Sequence, residues 1–500
     1  MVSDKAWLVG AGPGAPALLT VRGAELLARA ELVLHDAEVS PELLALAASA
    51  ELRLAPASAA ELTSLVLEAS RAGRRVVRLI SGDPLFSASG VAEARALRRA
   101  GLELEVVPGV AVELGASSAA GLALGYPGGP RSAAALVSAG PPSPGELAGL
   151  ARAARSFCAR LEPGELDAAV AALLASGRAS SELAALVTRG TLPSQRVVTA
   201  PLGELARAAR AAELAAPLVL VLGDAVRARG ELRTFDAQPL FGQRVLVPRP
   251  LAQSSVTAAA IRARGAEPVM FPVIEIVAPP DPAPLARALD ELCRYDWVLL
   301  TSVNGVERVM AALRAAGRDA RAFGAARLGV IGPRTGAALR AHGLAADLVA
   351  DEYVGEGLAR ALLARGVGRR VLLARALHAR DALPESLRAA GAEVEVVAAY
   401  ETRPVPLSRA AELVERLERG ALEIVLFTSS STVSSTAELL GARAAELLAT
   451  VTVASIGPVT TETLRARGVR VDVTAEEYTV DGLLDALEAH FRGRAAAPPL

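Results

Sequence analysis

Short apolar runs recur along the chain, each closed by Gly, Pro, Ser or Thr and followed by a stretch in which Ala and Leu alternate with Arg and Glu at helical spacing. Runs this brief and this sharply punctuated read as buried strands, and the longer stretches as amphipathic helices. Strands are expected at 6–9, 218–222, 244–247, 298–301, 371–374 and 424–428. Strands alternating with helices predict an α/β protein with largely parallel sheets. The clearest element is Arg327-Leu-Gly-Val-Ile-Gly-Pro-Arg-Thr-Gly, which returns as Thr452-Val-Ala-Ser-Ile-Gly-Pro-Val-Thr-Thr. Each copy predicts a strand, a Gly-Pro turn carrying hydroxyls, and a short helix stopped by Gly343 or Gly468 just past its last turn.

The repeat extends well beyond this element. Gly242-Gln-Arg-Val-Leu-Val-Pro-Arg249 matches Gly368-Arg-Arg-Val-Leu-Leu-Ala-Arg375 at an offset of 126 (368 − 242), and Glu352-Tyr353 matches Glu477-Tyr478 at 125 (477 − 352). Val298-Leu-Leu-Thr-Ser302 matches Val425-Leu-Phe-Thr-Ser429. Landmarks kept in one order describe two like α/β lobes. Pro-rich segments fall at matching places, Ala278-Pro-Pro-Asp-Pro-Ala-Pro284 and Glu401-Thr-Arg-Pro-Val-Pro-Leu407, and predict that the chain leaves the first lobe, builds the second, and returns. Strand 244–247 should then share a sheet with 424–428, and 298–301 with 371–374.

Composition narrows the function. The 500 residues suit two or three domains, and 52% hydrophobic content supplies their cores. No apolar run approaches the roughly 18 residues of a membrane span, and the start, Met1-Val-Ser-Asp-Lys-Ala-Trp7, has no charged-then-apolar leader, so a soluble cytoplasmic protein without a membrane partner is expected. A net charge of −1 argues against a nucleic-acid partner. The two cysteines, Cys158 and Cys293, read as buried small hydrophobes, and four histidines without i, i+4 spacing give no metal site.

The N-terminal half carries Gly10-Ala-Gly-Pro-Gly, then Leu32-Val-Leu-His-Asp36, Val76-Val-Arg-Leu-Ile-Ser-Gly-Asp-Pro-Leu-Phe86, and Val106-Val-Pro-Gly-Val110. Glycines after a strand let backbone approach a ligand, and a following helix offers free N–H groups. This succession resembles the tetrapyrrole methylases, among them uroporphyrinogen-III C-methyltransferase, across residues 6–229. The resemblance implies an S-adenosylmethionine pocket between two α/β subdomains, with Gly12, Pro13, Gly82, Asp83 and Pro84 at or near the cofactor, Asp36 on the substrate side, and a homodimer formed through this half. The chain departs from the uroporphyrinogen subfamily in several places. A Lys and an Arg flanking the Gly-Asp-Pro turn are absent, the hydroxyl pair after Pro-Gly-Val is Ala111-Val112, the Pro-Leu-Thr-His-Arg segment is Leu124-Gly-Tyr-Pro-Gly128, and the Tyr-Met-Gly that contacts cofactor is Phe157-Cys-Ala159. Ser81-Gly-Asp-Pro-Leu-Phe86 is closer to the precorrin methylases, and an inactive remnant also fits these losses.

Residues 242–491 resemble uroporphyrinogen-III synthase in the doubled Thr-Ser turns, the doubled Gly-Pro motifs and the Val397-Ala-Ala-Tyr400-Glu-Thr crossing. The resemblance implies two flavodoxin-like lobes and a metal-free, cofactor-free reaction on hydroxymethylbilane, a linear tetrapyrrole polyacid that is closed with one ring inverted. Such a reaction needs a cleft that holds many carboxylates in one fold. Helix starts with Thr335, Thr460 and Thr461, the turns with Ser302, Asn304, Ser429 and Ser430, and Arg249 and Arg375 at strand ends are the candidate substrate contacts. His378 and Arg380 are weaker candidates, each equally at home as a solvated loop residue. Tyr400 and Thr460 are the candidate catalytic groups; a phenol, protonated at neutral pH, is a proton donor to a departing hydroxyl. The expected organisation is a methylase domain at 1–232, a linker at 233–241, a synthase domain at 242–492 with lobe one at 242–277 plus 404–492 and lobe two at 281–400, and a disordered tail at 493–500. The competing reading is a non-catalytic two-lobed tetrapyrrole sensor, which has no need of Tyr400 beside turn hydroxyls.

Overall fold

The computed structural model describes residues 5–125, 133–136, 142–249, 255–366, 368–379, 381–406 and 408–496. Two compact units are present: Met1–Val245 with Ala258–Pro268 and Leu484–Leu500, and Leu246–Thr257 with Val269–Leu483.

The first unit holds two sheets. In the first, β1 (Lys5–Gly10), β2 (Leu32–His35), β3 (Glu51–Leu54), β4 (Val76–Ile80) and β5 (Glu103–Val107) lie in the order β3-β2-β4-β1-β5. All four pairings are parallel. β4 is buried at every position, as a central strand covered on both faces should be. The loops after β1, β2, β4 and β5 therefore gather at one edge, where open parallel sheets bind ligands. The second sheet, β6 (Ala133–Leu136), β7 (Ser156–Leu161), β8 (Leu183–Thr188), β9 (Arg196–Pro201) and β10 (Leu218–Leu222), has the order β6-β7-β10-β8-β9 and is mostly antiparallel.

Edge strand β5 is tied to β1 by charge. Glu105 accepts from Trp7 Nε1 at 2.9 Å and Arg22 Nε at 3.0 Å, with Lys5 Nζ at 3.3 Å, and the Arg22 hydrogen bond is the main reason its carboxyl is held down at about 2. A carboxylate depressed in this way stabilises the fold above its unfolded value near 4.3, and the contribution is lost as pH falls towards 2. Glu105→Gln should cost about 1 kcal/mol at pH 7, the pair being screened by solvent, and only a small part of that at pH 2. Paired thermal melts at the two pH values check this.

The later strands, wholly or partly in the second unit, are β11 (Arg244–Val247), β12 (Glu267–Met270), β13 (Ile274–Val277), β14 (Trp297–Leu300), β15 (Arg327–Val330), β16 (Leu348–Val349), β17 (Arg370–Ala376), β18 (Glu393–Pro404), β19 (Ile424–Phe427), β20 (Thr452–Ser455) and β21 (Val473–Thr474). They form two sheets, β12-β11-β19-β20-β21 and β13-β18-β17-β14-β15-β16. β11 beside β19 and β14 beside β17, with Trp297 opposite Val371, are the pairings that a double crossing requires.

The crossing itself differs from expectation. Residues 274–277, expected to end the first lobe, form β13 and pair antiparallel with the second half of β18, Ile274 opposite Pro404 and Val277 opposite Glu401. Ile274 packs on the first lobe's core and Ile276 on the second's, so residues two apart along one strand serve both cores. The Pro-rich segment comes after the crossing rather than making it.

Two smaller corrections concern Cys293, which is exposed whereas Cys158 is buried, and the C-terminal end. The last helix, Val480–Ala496, continues into the stretch expected as a disordered tail. Ala and Arg are strong helix formers, and Arg492 pairs with Glu488 one turn back at 2.5 Å. Residues 497–500 lie outside the described residues.

Candidate active sites

In the first unit three loops meet. Gly12 N–H donates to Gly82 O at 3.1 Å and Gly82 N–H to Gly12 O at 2.9 Å, clasping the loops after β1 and β4. Both glycines have φ of +71°, a left-handed conformation that favours glycine. Asp83, buried, accepts from Leu85 N at 2.8 Å and Phe86 N at 3.2 Å on one oxygen and from Gly109 N at 2.9 Å on the other. That carboxylate therefore ties the β4 loop to the β5 loop. Pro13 packs on the helix Val112–Ala119, where a Cβ on Gly115 would lie 2.6 Å from its ring, and Pro84 O lies 2.1 Å from where a Cβ on Gly90 would stand. Gly12, Pro13, Gly82, Asp83 and Pro84 are thus brought together.

Asp36 stands just past β2. Its Oδ1 accepts from Arg78 Nη2 at 2.5 Å and its Oδ2 from Ser81 N at 2.8 Å. Arg78, 3% exposed on β4, also donates to both oxygens of Glu93, at 2.8 and 2.9 Å. Such a buried cation, hydrogen-bonded to two carboxylates, fixes both in place. A cavity of about 470 Å³ opens here, and its lining includes Asp36, Glu38, Arg78, Glu93, Arg160 and Glu162. Both guanidiniums are paired, Arg78 as above and Arg160 with Glu38 at 2.6 Å. The absent Lys and Arg therefore leave a wall richer in carboxylates than in cations. Phe157, Cys158 and Ala159 are fully buried in β7, and burial pushes the Cys158 thiol up to about 12, an inert group. Residues 126–128 of the Leu124–Gly128 segment lie outside the described residues.

In the second unit the two lobes repeat one geometry. Ser302 caps the helix Val303–Ala315, accepting from Gly305 N at 3.0 Å, and Ser429 caps Ser430–Leu440, accepting from Thr432 N at 3.4 Å. Ser302 Oγ also lies 2.9 Å from the hydroxyl of Tyr400, which is 7% exposed on β18. Ser429 meets Ser431 Oγ at 3.1 Å, and Ser430 reaches Val459 O at 3.4 Å. The helices Pro333–Ala341 and Pro458–Ala466 start at Gly332 and Gly457 with no side-chain cap, so their first-turn N–H groups are not taken up by a capping side chain. Thr335 and Thr460 occupy corresponding buried places in those turns; Thr461 instead meets Thr474 Oγ1 on β21 at 2.9 Å.

The charged candidates divide. Arg249 is half-buried past β11; burial lowers its pKa, and the charge of Arg334, two residues into the helix start of the other lobe, lowers it further. Arg375 is buried and paired with Asp381, so much of its charge is answered within its own lobe. Asn304 is half-buried in the first turn after Ser302, His378 is exposed, and Arg380 lies outside the described residues.

Sequence reasoning missed Arg334, although it stands inside the doubled Gly-Pro motif. It also assigned no role to Thr428, whose buried hydroxyl finds no partner among the described residues.

Comparison with known proteins fits this division into two sites. Residues 5–206 match the family described as tetrapyrrole (corrin/porphyrin) methylases, and residues 255–485 match uroporphyrinogen-III synthase HemD. A porphyrin biosynthesis protein HemD of Ruminiclostridium josui is 30% identical over 499 residues, covering 96% of this chain and 97% of that protein. The chain belongs to this HemD family of porphyrin-biosynthesis proteins. It joins a tetrapyrrole-methylase domain to a uroporphyrinogen-III synthase domain. Each half also has relatives of its own. A uroporphyrinogen-III synthase of Synechococcus elongatus is 36% identical over 260 residues, 51% of this chain and 98% of that protein. A uroporphyrinogen-III C-methyltransferase of Pseudomonas aeruginosa is 36% identical over 235 residues, 45% of this chain and 96% of that protein. The fusion is an enzyme of tetrapyrrole biosynthesis, and these relatives do not favour the sensor reading.

Proposed function

We propose that the C-terminal half closes hydroxymethylbilane to uroporphyrinogen III with inversion of ring D, and that the N-terminal half transfers a methyl group from S-adenosylmethionine to a tetrapyrrole. The observation that carries the first part is the contact between Tyr400 and Ser302, a phenol and a hydroxyl joined where capped helix starts gather at the carboxyl ends of parallel strands. The phenol protonates the departing hydroxyl, which leaves as water. Ring D then attacks through its substituted carbon, and the spiro intermediate opens and recloses with that ring reversed. The proton lost on final closure returns to the phenolate, so water is the one by-product. Ser302 orients the phenol. Helix-start N–H groups, Thr335, Thr460, Ser429, Ser430 and Arg249 hold carboxylates and exclude the unflipped closure.

The methylase half suits its cosubstrate. Glycine backbone from three loops meets where side chains have no room, and Leu85, Phe86 and Val110 stand exposed along those loops, with Leu114 exposed on the helix that follows. S-adenosylmethionine supplies an electrophilic methyl group; Gly12, Pro13, Gly82 and Pro84 would bind it, with Asp83 fixing the loops that hold it. Asp36, held in place by Arg78 and the Ser81 N–H, orients the acceptor. Among the described residues no helix is long and apolar enough to cross a membrane.

The test is to incubate the purified chain with hydroxymethylbilane, with and without S-adenosylmethionine, and to identify products by isomer and mass. Isomer III in both reactions, and methylated product in the second, support both halves; isomer III without methylation limits the reading to the synthase. Because binding is spread over many donors, Thr460→Ala and Ser429→Ala should each lower isomer III formation only about tenfold, the net worth of one charge-assisted hydrogen bond. Initial rates check this, and complete loss on either change would mean that one group carries the reaction.

A further inference from the structure

One repeated feature has no part in this reading. Tyr353 and Tyr478 are each 64% exposed, and they occupy matching positions 125 residues apart (478 − 353). Each is the middle residue of a tight turn: Val354 N donates to Glu352 O at 2.8 Å, and Thr479 N to Glu477 O at 2.7 Å. Each turn is pinned by a glycine of the following helix, since a Cβ on Gly357 would lie 2.3 Å from Glu352 O and one on Gly482 would lie 2.6 Å from Glu477 O. Each ring lies on the glycine of a Gly-Pro helix start, with Cδ1 3.1 Å from where a Cβ on Gly332 would be and 3.0 Å from that of Gly457. One side of the ring is thus packed on a substrate-binding turn and the rest is open. Val354 and Val459, 48% and 69% exposed, add apolar surface on the residue after Tyr353 and beside Gly457. Neither phenol has a hydrogen-bond partner among the described residues.

A ring that only covered its turn would not need to be aromatic, exposed and rigidly mounted in both lobes. We propose that Tyr353 and Tyr478 are substrate-contacting residues, one per lobe, whose open faces stack against pyrrole rings of hydroxymethylbilane and hold it in the folded shape from which isomer III forms. The proposal rests on the synthase reading and adds to it. Carboxylates are held by the helix starts, and the flat electron-rich rings between those carboxylates need flat apolar walls.

Kinetics of the full chain test this with Tyr353→Leu, Tyr478→Leu, the double variant, and Phe at each position. Leu keeps apolar volume but removes the aromatic face. Each Leu variant should raise KM roughly three- to tenfold with a smaller change in kcat, the worth of one aromatic pair, and should raise the share of isomer I. Phe should restore both, and melting temperatures should not move, the rings being largely exposed. Leu variants with unchanged KM and isomer ratio would overturn the proposal. Affinity for uroporphyrin III, measured by fluorescence, separates the two levels. Were the wild type to make no isomer III while Leu variants bound uroporphyrin more weakly, the synthase reading would fall and the stacking surface stand; unchanged affinity would remove the surface as well.

Discussion

Tyr400→Phe is expected to lower uroporphyrinogen III formation about a hundredfold, the most damaging single change in the synthase half, within the range for removing a general acid. The change takes one oxygen and little else. Tyr400 is 7% exposed and packs with Val397 and Ala399 in the second lobe's core, so the Phe ring keeps that contact. Ser302 still accepts from Gly305 N, and its helix stays capped. Loss of the 2.9 Å contact between the hydroxyls should cost folding only about 1 kcal/mol. A large loss of rate beside a small loss of stability would separate proton donation from structural support. Isomer I should rise in proportion, because released hydroxymethylbilane closes unaided. Wild-type rates in Tyr400→Phe would remove the acid role.

Gly109→Ala should have the largest effect in the methylase half. A Cβ there would stand 2.2 Å from Gly82 O and 2.8 Å from Gly10 Cα, and both neighbours are backbone that cannot turn aside. Gly109 N is also the donor that Asp83 uses to join two loops. Relief of the clash must part the loops, at about 3 kcal/mol. Calorimetric titration should then show S-adenosylmethionine affinity reduced about a hundredfold, the same energy expressed at the binding surface. Isomer III formation should be unchanged, since the residues assigned to it belong to the other unit. Normal cofactor affinity would mean that the three-loop junction is not where the cofactor sits.

Much of the architecture was legible because the chain states it twice. Nearly equal spacing of Thr-Ser turns, Gly-Pro motifs and terminal glycines gave two lobes, and matching Pro-rich segments gave the double crossing that β11 beside β19 bears out. The sheet that receives β13 was not legible. Ile274 and Ile276 read as an ordinary strand, and the choice of partner depends on β18, more than 100 residues away (393 − 277). Site chemistry divides in the same way. That Ser302 lies at a turn follows from local pattern; that its hydroxyl meets Tyr400 depends on the six-stranded sheet. Arg375 was a candidate substrate contact from its strand-end position, but that it pairs with Asp381, from the start of the next helix, was not legible there. Asp83 was expected at or near the cofactor; that it also ties two loops together was not legible, because its partner Gly109 is distant in sequence. Tyr353 and Tyr478 were visible as repeat landmarks, and only their exposure and their packing on glycine show that they have surface to offer.

The most direct test of the synthase assignment is the ratio of uroporphyrinogen III to uroporphyrinogen I formed from hydroxymethylbilane as the concentration of the wild-type chain is raised. Isomer III should dominate, and its initial rate should grow in proportion to the chain; isomer I formed at the spontaneous rate, whatever the amount of chain, would contradict the synthase assignment.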